Sequence, residues 1–390
     1  MVTGDSAPRA RLESVDVVRG VIMIIMALDH TRDFFGIPGQ HPTDLAHASA
    51  ALFLTRWITF FCAPVFFLLT GTGAYLSLRR KSPAELSRYL FTRGLWLIFL
   101  ELVLVRILAY QFNADYRVTL LLVLWALGWA MITLAALVRL PALVVTAVGA
   151  VMIAGHNLLD AVRSASPLWS ILHAPGFVVN TPEHVVFAAY PLIPWVGVTA
   201  VGYGLGQVYG WDADRRRAFL LRLGLALSLA FAVLRGVNVY GDSSRWQPQA
   251  TALFTGLSFL NTTKYPPSLL FLLMTLGPAL VLLWSVDRAT PRLLRPALVI
   301  GKVPLFYYVL HFAFIHLLAV VTCHVRYGSA HWMFESPDLG HYPFSAPPGW
   351  GYALPTVYLT WVFVVVAMYP LCRWFAALKQ RRSDAWLSYL

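Results

Sequence analysis

Residues 15–35 read VDVVRGVIMIIMALDHTRDFF, an apolar stretch that charged side chains interrupt at intervals. An α-helix needs about 20 residues to cross the hydrocarbon core of a bilayer, and this stretch is long enough. The whole chain is similarly apolar: 58% of its 390 residues are hydrophobic, 12% are charged, and the mean hydropathy is +0.66. A soluble domain carries about 25% charged residues, and 3 cysteines are too few for a disulfide scaffold. The composition therefore excludes both classes, as well as a disordered chain, and predicts an integral membrane protein.

Apolar stretches of similar length recur along the chain. They predict an all-α polytopic membrane protein with about ten transmembrane helices. The predicted spans are residues 15–35, 50–76, 90–110, 118–138, 140–159, 185–208, 218–237, 267–286, 303–321 and 352–374.

The basic residues indicate an orientation for these spans. Loops on the side of the two termini carry about twice as many Lys and Arg residues as loops on the other side. The positive-inside rule predicts that both termini are cytoplasmic, with tails at residues 1–14 and 375–390 and a transmembrane domain at 15–374. The long loops 160–184, 238–266 and 322–351 are then extracytoplasmic. Because cytoplasmic loops account for the net charge of +12, we expect no nucleic-acid partner.

The first span carries polar residues on one helical face. The face repeats at intervals of three and four residues, through Asp16, Arg19, Met23, Met26, His30 and Asp33. Ionisable groups inside a membrane are costly and nearly always face the bundle interior or a wet cavity. The face is therefore either a structural ion-pair network or part of a site. In the second case His30 is the candidate general base, and the neighbouring Asp29 is expected to fix its tautomer.

Three further residues outside this span are candidates. His311 shares a helical face with Tyr307, and either catalysis or packing explains it. Lys264 precedes two prolines at the predicted start of a helix, where it either contacts substrate or merely opens the first turn. Trp332 lies in an aromatic loop that is either an interfacial belt or a platform for a sugar-like substrate. The sequence has no zinc-type Cys/His spacing and no nucleotide-binding loop, so we expect no metal site.

Several motifs together resemble a known family. They are RLESVDVVRG (11–20), MALDHTRDFF (26–35), FCAPVFFLLTG (61–71), YPLIPWVG (190–197), KYPPS (264–268) and GKVPLFYYVLH (301–311). These stretches resemble the heparan-alpha-glucosaminide N-acetyltransferase-like membrane family, in its bacterial branch. The first and last of them are the most specific.

The resemblance implies a transmembrane acyltransferase in a bacterial inner membrane. Such a protein moves an acyl group, usually acetyl, from cytosolic acetyl-CoA to a sugar amine or hydroxyl on the extracytoplasmic side. Its expected partners are the lipid bilayer, acyl-CoA and an envelope glycan or amino sugar, with a homodimer possible. His47 best matches the catalytic histidine of the lysosomal enzyme, whereas His30 occupies the position of an essential histidine in related bacterial O-acyltransferases. The base is therefore either His30 or His47.

The remaining candidate residues concern binding. A cytoplasmic basic rim and the first span supply the candidates for CoA phosphates, which are Arg19, Arg215, Arg216, Arg217 and Arg288. Topology alone is the competing explanation for the loop arginines. Asp33, Lys264 and Trp332 are the candidate contacts for the acceptor. A transporter for a polar solute or a lipid-linked glycan is the alternative function, although we find no paired repeats with broken helices.

Overall fold

The computed structural model describes residues 13–382 and 384–389 and is predominantly helical. The helices are α1 (Glu13–Phe35), α2 (Ala50–Thr59), α3 (Cys62–Ser77), α4 (Pro83–Phe99), α5 (Val123–Leu137), α6 (Ala142–Gly155), α7 (Pro167–Leu172), α8 (Leu192–Leu205), α9 (Ala213–Val237), α10 (Ala252–Leu260), α11 (Leu269–Val286), α12 (Arg295–Gly301), α13 (Pro304–Tyr327) and α14 (Leu354–Arg381). A π-helix continues α4 over Leu100–Tyr110, and 3-10 turns extend α6 and α8.

Every predicted span contains helix, and the apolar helices make this an integral membrane protein. Six helical stretches of the described chain are long and apolar enough to cross a bilayer: Ala50–Ser77, Ala142–Leu159, Ala213–Val237, Leu269–Val286, Pro304–Tyr327 and Leu354–Arg381. The charged face of α1 makes that helix too polar for the same criterion, and α5 is shorter. The total of ten spans and the cytoplasmic termini therefore stay predictions.

A small sheet corrects the expectation of an all-α chain. Its strands are β1 (Val118–Leu121), β2 (Gly176–Asn180) and β3 (Val185–Ala188), in the order β1-β3-β2. β3 pairs parallel with β1 and antiparallel with β2. These runs are short and rich in valine, which favours strands, and a turn containing Pro182 joins β2 to β3. Two predicted spans consequently begin later than expected, at α5 and α8.

α1 lies at the centre of the helical bundle. It packs against α2, α3, α11, α12, α13 and α14. Its contact with α12 is at backbone distance, because a Cβ on Gly20 would lie 1.7 Å from the carbonyl oxygen of Ala297. A Cβ on Gly301 would likewise lie 1.8 Å from the carbonyl oxygen of Asp16. Only glycine fits at these two positions, and the close contact brings Lys302 next to the start of α1.

The structure describes the two predicted cytoplasmic tails only in part. The N-terminal residues 1–12 lie outside the described structure, and α1 begins at Glu13. At the other end α14 continues to Arg381, so the predicted tail 375–390 begins as helix. Tyr389 then packs on α4, where its carbonyl oxygen accepts a hydrogen bond from Trp96 Nε1 at 3.2 Å. The cytoplasmic location of both ends stays a prediction.

Candidate functional site

Two histidines from α1 and α13 meet at the centre of the candidate site. Nδ1 of His30 lies 2.8 Å from Nε2 of His311, and the two rings stack with their centroids 5.0 Å apart. His311 is completely buried, whereas His30 keeps partial exposure. The ring of Phe312 stacks on the imidazole of His30 at 3.7 Å. The sequence separately singled out both histidines, and the fold joins them.

The hydrogen bonds of this pair fix the tautomers of its neutral form. Nδ1 of His311 lies 2.8 Å from the backbone carbonyl oxygen of Tyr307. A carbonyl oxygen only accepts, so Nδ1 of His311 carries the hydrogen and its Nε2 is an acceptor. His30 therefore donates from Nδ1 to His311, and Nε2 of His30 keeps its lone pair. An imidazole held in this tautomer has the form that a general base needs.

Asp29 bonds with two guanidinium groups, and its predicted role in orienting His30 stays a prediction. Nη1 of Arg56 lies 2.6 Å and 2.5 Å from the two carboxylate oxygens of Asp29. Nη2 of Arg32 reaches the same carboxylate at 2.8 Å. Two guanidinium groups thus neutralise Asp29, because a carboxylate with little exposure needs charged partners. Nδ1 of His30 instead contacts His311.

A first cavity, here called the inner cavity, lies on the predicted cytoplasmic side of His30. Its volume is about 310 Å³, and α1, α3, α4, α5 and α13 supply most of its walls. Apolar side chains such as Met23, Met26 and Leu127 dominate the lining. Four cationic side chains also line it: Arg19, Arg93, Lys302 and Lys379. Arg19 is held by Asp16 at 3.0 Å and by the carbonyl oxygen of Gly301 at 3.4 Å.

A second cavity, the outer cavity, begins where α1 ends. Its volume is about 590 Å³, and the loop after α1, the loop before α14 and the start of α14 form most of its walls. Its polar lining includes Arg32, Asp33, Gln40, His41 and His341. Asp33, a predicted substrate contact, thus lines a cavity, and its carboxylate pairs with Arg32 at 2.7 Å.

His30 lies between the two cavities on one face of α1. Met26 of the same face lines the inner cavity, and Asp33 lines the outer one. Tyr308 belongs to the inner wall, and its ring centroid is 6.3 Å from that of His30. Tyr110 belongs to the outer wall and packs at 4.9 Å against Phe312. Aromatic rings of Tyr308, Phe312 and Tyr110 thus surround His30 in the region between the cavities.

His47, the rival base, lies in the exposed loop between α1 and α2. Its side chain is 84% exposed, and its Nδ1 bonds with Oδ2 of Asp44 at 2.7 Å. This hydrogen bond lowers the pKa of the Asp44 carboxyl below its ordinary value. The pair is a His–Asp dyad, and neither His47 nor His30 is among the residues that line the two cavities in the described structure. Both base assignments therefore stay predictions.

Most of the predicted CoA contacts lie away from the inner cavity. Arg216 donates from Nε to Oδ1 of Asp287 at 3.2 Å, and from Nε and Nη2 to Oδ2 at 3.0 Å and 2.9 Å. Arg217 donates a hydrogen bond to the carbonyl oxygen of Trp284, and the guanidinium of Arg215 lies over the ring of Trp211. The exposed Arg288 forms an ion pair with Asp214. Arg216, Arg217 and Arg288 thus join α9 to the end of α11, and none of the four loop arginines is among the residues that line the inner cavity. Their contact with CoA stays a prediction. Of the predicted set, Arg19 lines the cavity.

Lys264 and Trp332, the other two predicted substrate contacts, lie in different parts of the structure. Lys264 is buried near the rings of Phe60 and Tyr265, and its positive charge acts on Asp29 and His30. Trp332 instead packs against the rings of His331 and Tyr327 and does not belong to the outer-cavity lining. The fold therefore places Lys264, but not Trp332, beside the histidine pair.

Several site residues were missed from the sequence. Lys302 and Lys379 are single basic residues that the sequence does not distinguish from charges that set topology, and His41 and His341 fall in loops whose contacts no periodicity predicts. Phe312 follows His311 directly, but an aromatic residue in an apolar helix gives no separate signal. The motif GKVPLFYYVLH does contain Lys302, so its basic residue beside Gly301 was a usable signal.

The fold and the site together define a membrane protein that holds a histidine pair between two cavities. A family model described as heparan-alpha-glucosaminide N-acetyltransferase, catalytic, matches residues 11–237. The match covers more than half of the chain, and the chain belongs to this family, whose members are membrane acyltransferases. The matched part includes His30, Asp29, Arg19 and His47, whereas His311 lies beyond it. No curated protein matches the chain significantly.

Proposed function

We propose that this protein transfers an acetyl group from acetyl-CoA in the inner cavity to a sugar amine or hydroxyl in the outer cavity, with His30 as the general base. The observation that carries the proposal is the position of His30. It lies on one helical face between the two cavities, and His311 leaves its Nε2 unprotonated. An acyl transfer across a membrane needs this combination of two compartments and one shared base.

The inner cavity suits the acetyl-CoA arm. CoA has an extended, largely uncharged pantetheine arm and an anionic nucleotide end. The cavity has apolar walls and four cationic side chains, Arg19, Arg93, Lys302 and Lys379. A volume of about 310 Å³ fits the arm rather than the nucleotide. Acetyl-CoA would supply an activated thioester, and these cations would bind its phosphates.

The chemistry assigned to the chain is proton transfer. Nε2 of His30 accepts the proton of the acceptor amine or hydroxyl while the acceptor atom bonds to the acetyl carbon. The bond between that carbon and sulfur then breaks, and the leaving sulfur takes this proton back from Nε2 of His30, which releases free CoA thiol and regenerates the neutral imidazole. The imidazolium of His30 keeps its Nδ1 hydrogen bond to His311, so His311 positions the base as the carboxylate does in a Ser–His–Asp triad, although without a charge.

The outer cavity supports a polar acceptor. A sugar offers many hydroxyl groups, and the cavity offers a carboxylate, a guanidinium and two imidazoles at Asp33, Arg32, His41 and His341. An envelope glycan or amino sugar on the extracytoplasmic side of a bacterial inner membrane is the proposed acceptor. The bacterial branch, the membrane identity and a homodimer remain predictions from the resemblance.

A transporter for a polar solute or a lipid-linked glycan is the second candidate. Two cavities with aromatic rings in the region between them favour it, because a transporter needs the same arrangement. The two functions differ in their products. An acyltransferase releases free CoA thiol, whereas a transporter does not.

The test uses purified protein in detergent with acetyl-CoA and a panel of amino sugars and neutral sugars. Free thiol is followed by a colorimetric reagent, and the acetylated sugar by mass spectrometry. We expect thiol release that depends on one class of acceptor, with one acetylated sugar formed for each thiol. If the folded protein binds acetyl-CoA but releases no thiol with any acceptor and moves a sugar into vesicles, the transporter replaces the transferase.

A further inference from the structure

Three metal-ligating side chains converge outside both cavities. His156 follows the end of α6, Asp160 lies four residues further on, and His173 follows α7. Their ligand atoms all lie within 4.8 Å of one another. Nε2 of His173 is 3.2 Å from Oδ1 of Asp160. His156 and His173 are 2% and 1% exposed, so the cluster is closed to bulk solvent on the histidine side.

The buried histidines have unused ring nitrogens. Neither nitrogen of His156, nor Nδ1 of His173, has a hydrogen-bond partner in the described structure. The backbone carbonyl of Pro267 lies near the ring of His156 but outside ordinary hydrogen-bond geometry. A buried polar atom without a partner is costly, so each such atom calls for a ligand or ion.

An amide positions the carboxylate of Asp160. Nδ2 of Asn157 donates to Oδ2 of Asp160 at 2.8 Å, and Oδ1 of Asn157 accepts the backbone N–H of Leu269 at 2.9 Å. Oδ2 is thus occupied, while Oδ1 faces His173. Ligands of metal ions are commonly held by such outer hydrogen bonds, which fix the direction of the free oxygen.

We propose that His156, Asp160 and His173 bind a structural Zn²⁺ ion. Zinc takes imidazole nitrogen and carboxylate oxygen at about 2.0–2.2 Å. Two ligands at that distance and a tetrahedral angle lie about 3.4 Å apart, close to the 3.2 Å between His173 and Asp160. Small ring rotations bring His156 into range, and water fills the fourth position. The sequence led us to expect no metal, because these residues form no zinc-finger spacing.

The ion would tie three segments together. His156 belongs to the end of α6, His173 to the segment after α7, and Asn157 links the carboxylate to the start of α11. Lys264, which lies beside the histidine pair, shortly precedes α11. The zinc ion therefore stabilises the fold near the site and takes no part in the chemistry, and the inference does not rest on the proposed function.

The test measures metal in tag-free protein purified in detergent. We expect one zinc ion per chain by mass spectrometry of metals, and an absorption spectrum of low-symmetry Co²⁺ after substitution. The variants His173→Gln and Asp160→Asn should lose the ion, and Asn157→Ala should bind it roughly 10- to 100-fold more weakly. His184→Gln, which changes an exposed histidine of the same loop, is the matched control and should keep the metal.

A chelator experiment tests the proposal on the unaltered protein, so that its outcome does not depend on whether the variants fold. A strong zinc chelator should lower the melting temperature of the unaltered protein, and added Zn²⁺ should restore it. Protein that contains no zinc when purified, gains none from added Zn²⁺ and melts at the same temperature with chelator would overturn the proposal. Zinc content that persists in a folded His173→Gln variant would overturn it as well.

Discussion

The substitution His311→Phe isolates the role of the histidine pair. It removes the acceptor of the 2.8 Å hydrogen bond from Nδ1 of His30, while an aromatic ring of similar shape stays in the buried position. The general base itself remains. We therefore expect the variant to bind acetyl-CoA normally and to lose turnover, because His30 is no longer held in one tautomer.

The magnitude follows from the charge that His30 acquires. In the transition state its ring becomes an imidazolium, and the bond to His311 becomes charge-assisted. A hydrogen bond to a charged group contributes about 1.5–3 kcal/mol. Since about 1.4 kcal/mol corresponds to a factor of ten in rate, kcat should fall roughly 10- to 150-fold. This is less than the loss of ~10²–10⁴-fold expected when a general base is removed altogether.

The assay is thiol release at saturating acetyl-CoA, with the acetyl-CoA Kd measured separately. Tyr307→Phe is the matched control, because it removes a buried hydroxyl without a partner but keeps the carbonyl that orients His311. The control should keep nearly full turnover. His311→Gln, which retains an acceptor, should recover part of the loss. If a folded His311→Phe variant turns over as fast as the control, His311 is a packing residue and the tautomer argument is wrong.

Three further predictions concern binding, stability and orientation. Lys302→Gln should weaken acetyl-CoA binding by ~1–3 kcal/mol, because Lys302 lines the inner cavity. Arg216→Gln should leave the Kd unchanged, because Arg216 is not among the residues that line this cavity. Titration with acetyl-CoA measures both values, and equal effects of the two substitutions would contradict the prediction. Arg56→Met should destabilise the protein by about 3 kcal/mol, because the Asp29 carboxylate then has one guanidinium partner instead of two. Thermal unfolding in detergent should show a lower melting temperature, and an unchanged melting temperature would count against the ion-pair assignment. In intact cells an impermeant thiol reagent should label His184→Cys and miss Arg216→Cys, and labelling of position 216 would reverse the predicted topology.

The helices were largely predictable because their apolar stretches are long. Each predicted span holds a helix, since the cost of exposing backbone groups to lipid leaves few other structures. The sheet was not predicted, because β1 and β3 directly precede α5 and α8 and merge with them into continuous apolar runs. Strand pairing between residues such as Val118 and Val185 depends on tertiary contacts that hydropathy does not register.

The site was predictable only where residues share one helix. The periodic face of α1 placed Arg19, Met26, His30 and Asp33 in line, and the cavities follow that line. The partner of His30 was not predictable, because Asp29 adjoins it in sequence while His311 reaches it through packing of α13 on α1. The contacts of the loop arginines were not predictable for a related reason. The sequence shows the charge of a basic cluster, but only the fold shows that Arg216 is already paired with Asp287.

The most direct test of the central claim compares His30→Ala with His47→Ala in a single-turnover reaction. Each folded variant is loaded with acetyl-CoA, mixed with the acceptor and followed for acetylated product. We predict that His30→Ala loses ~10²–10⁴-fold in rate with unchanged acetyl-CoA binding, and that His47→Ala keeps most of its rate. A dead His47→Ala beside an active His30→Ala would contradict the account and assign the base to the exposed His47–Asp44 pair.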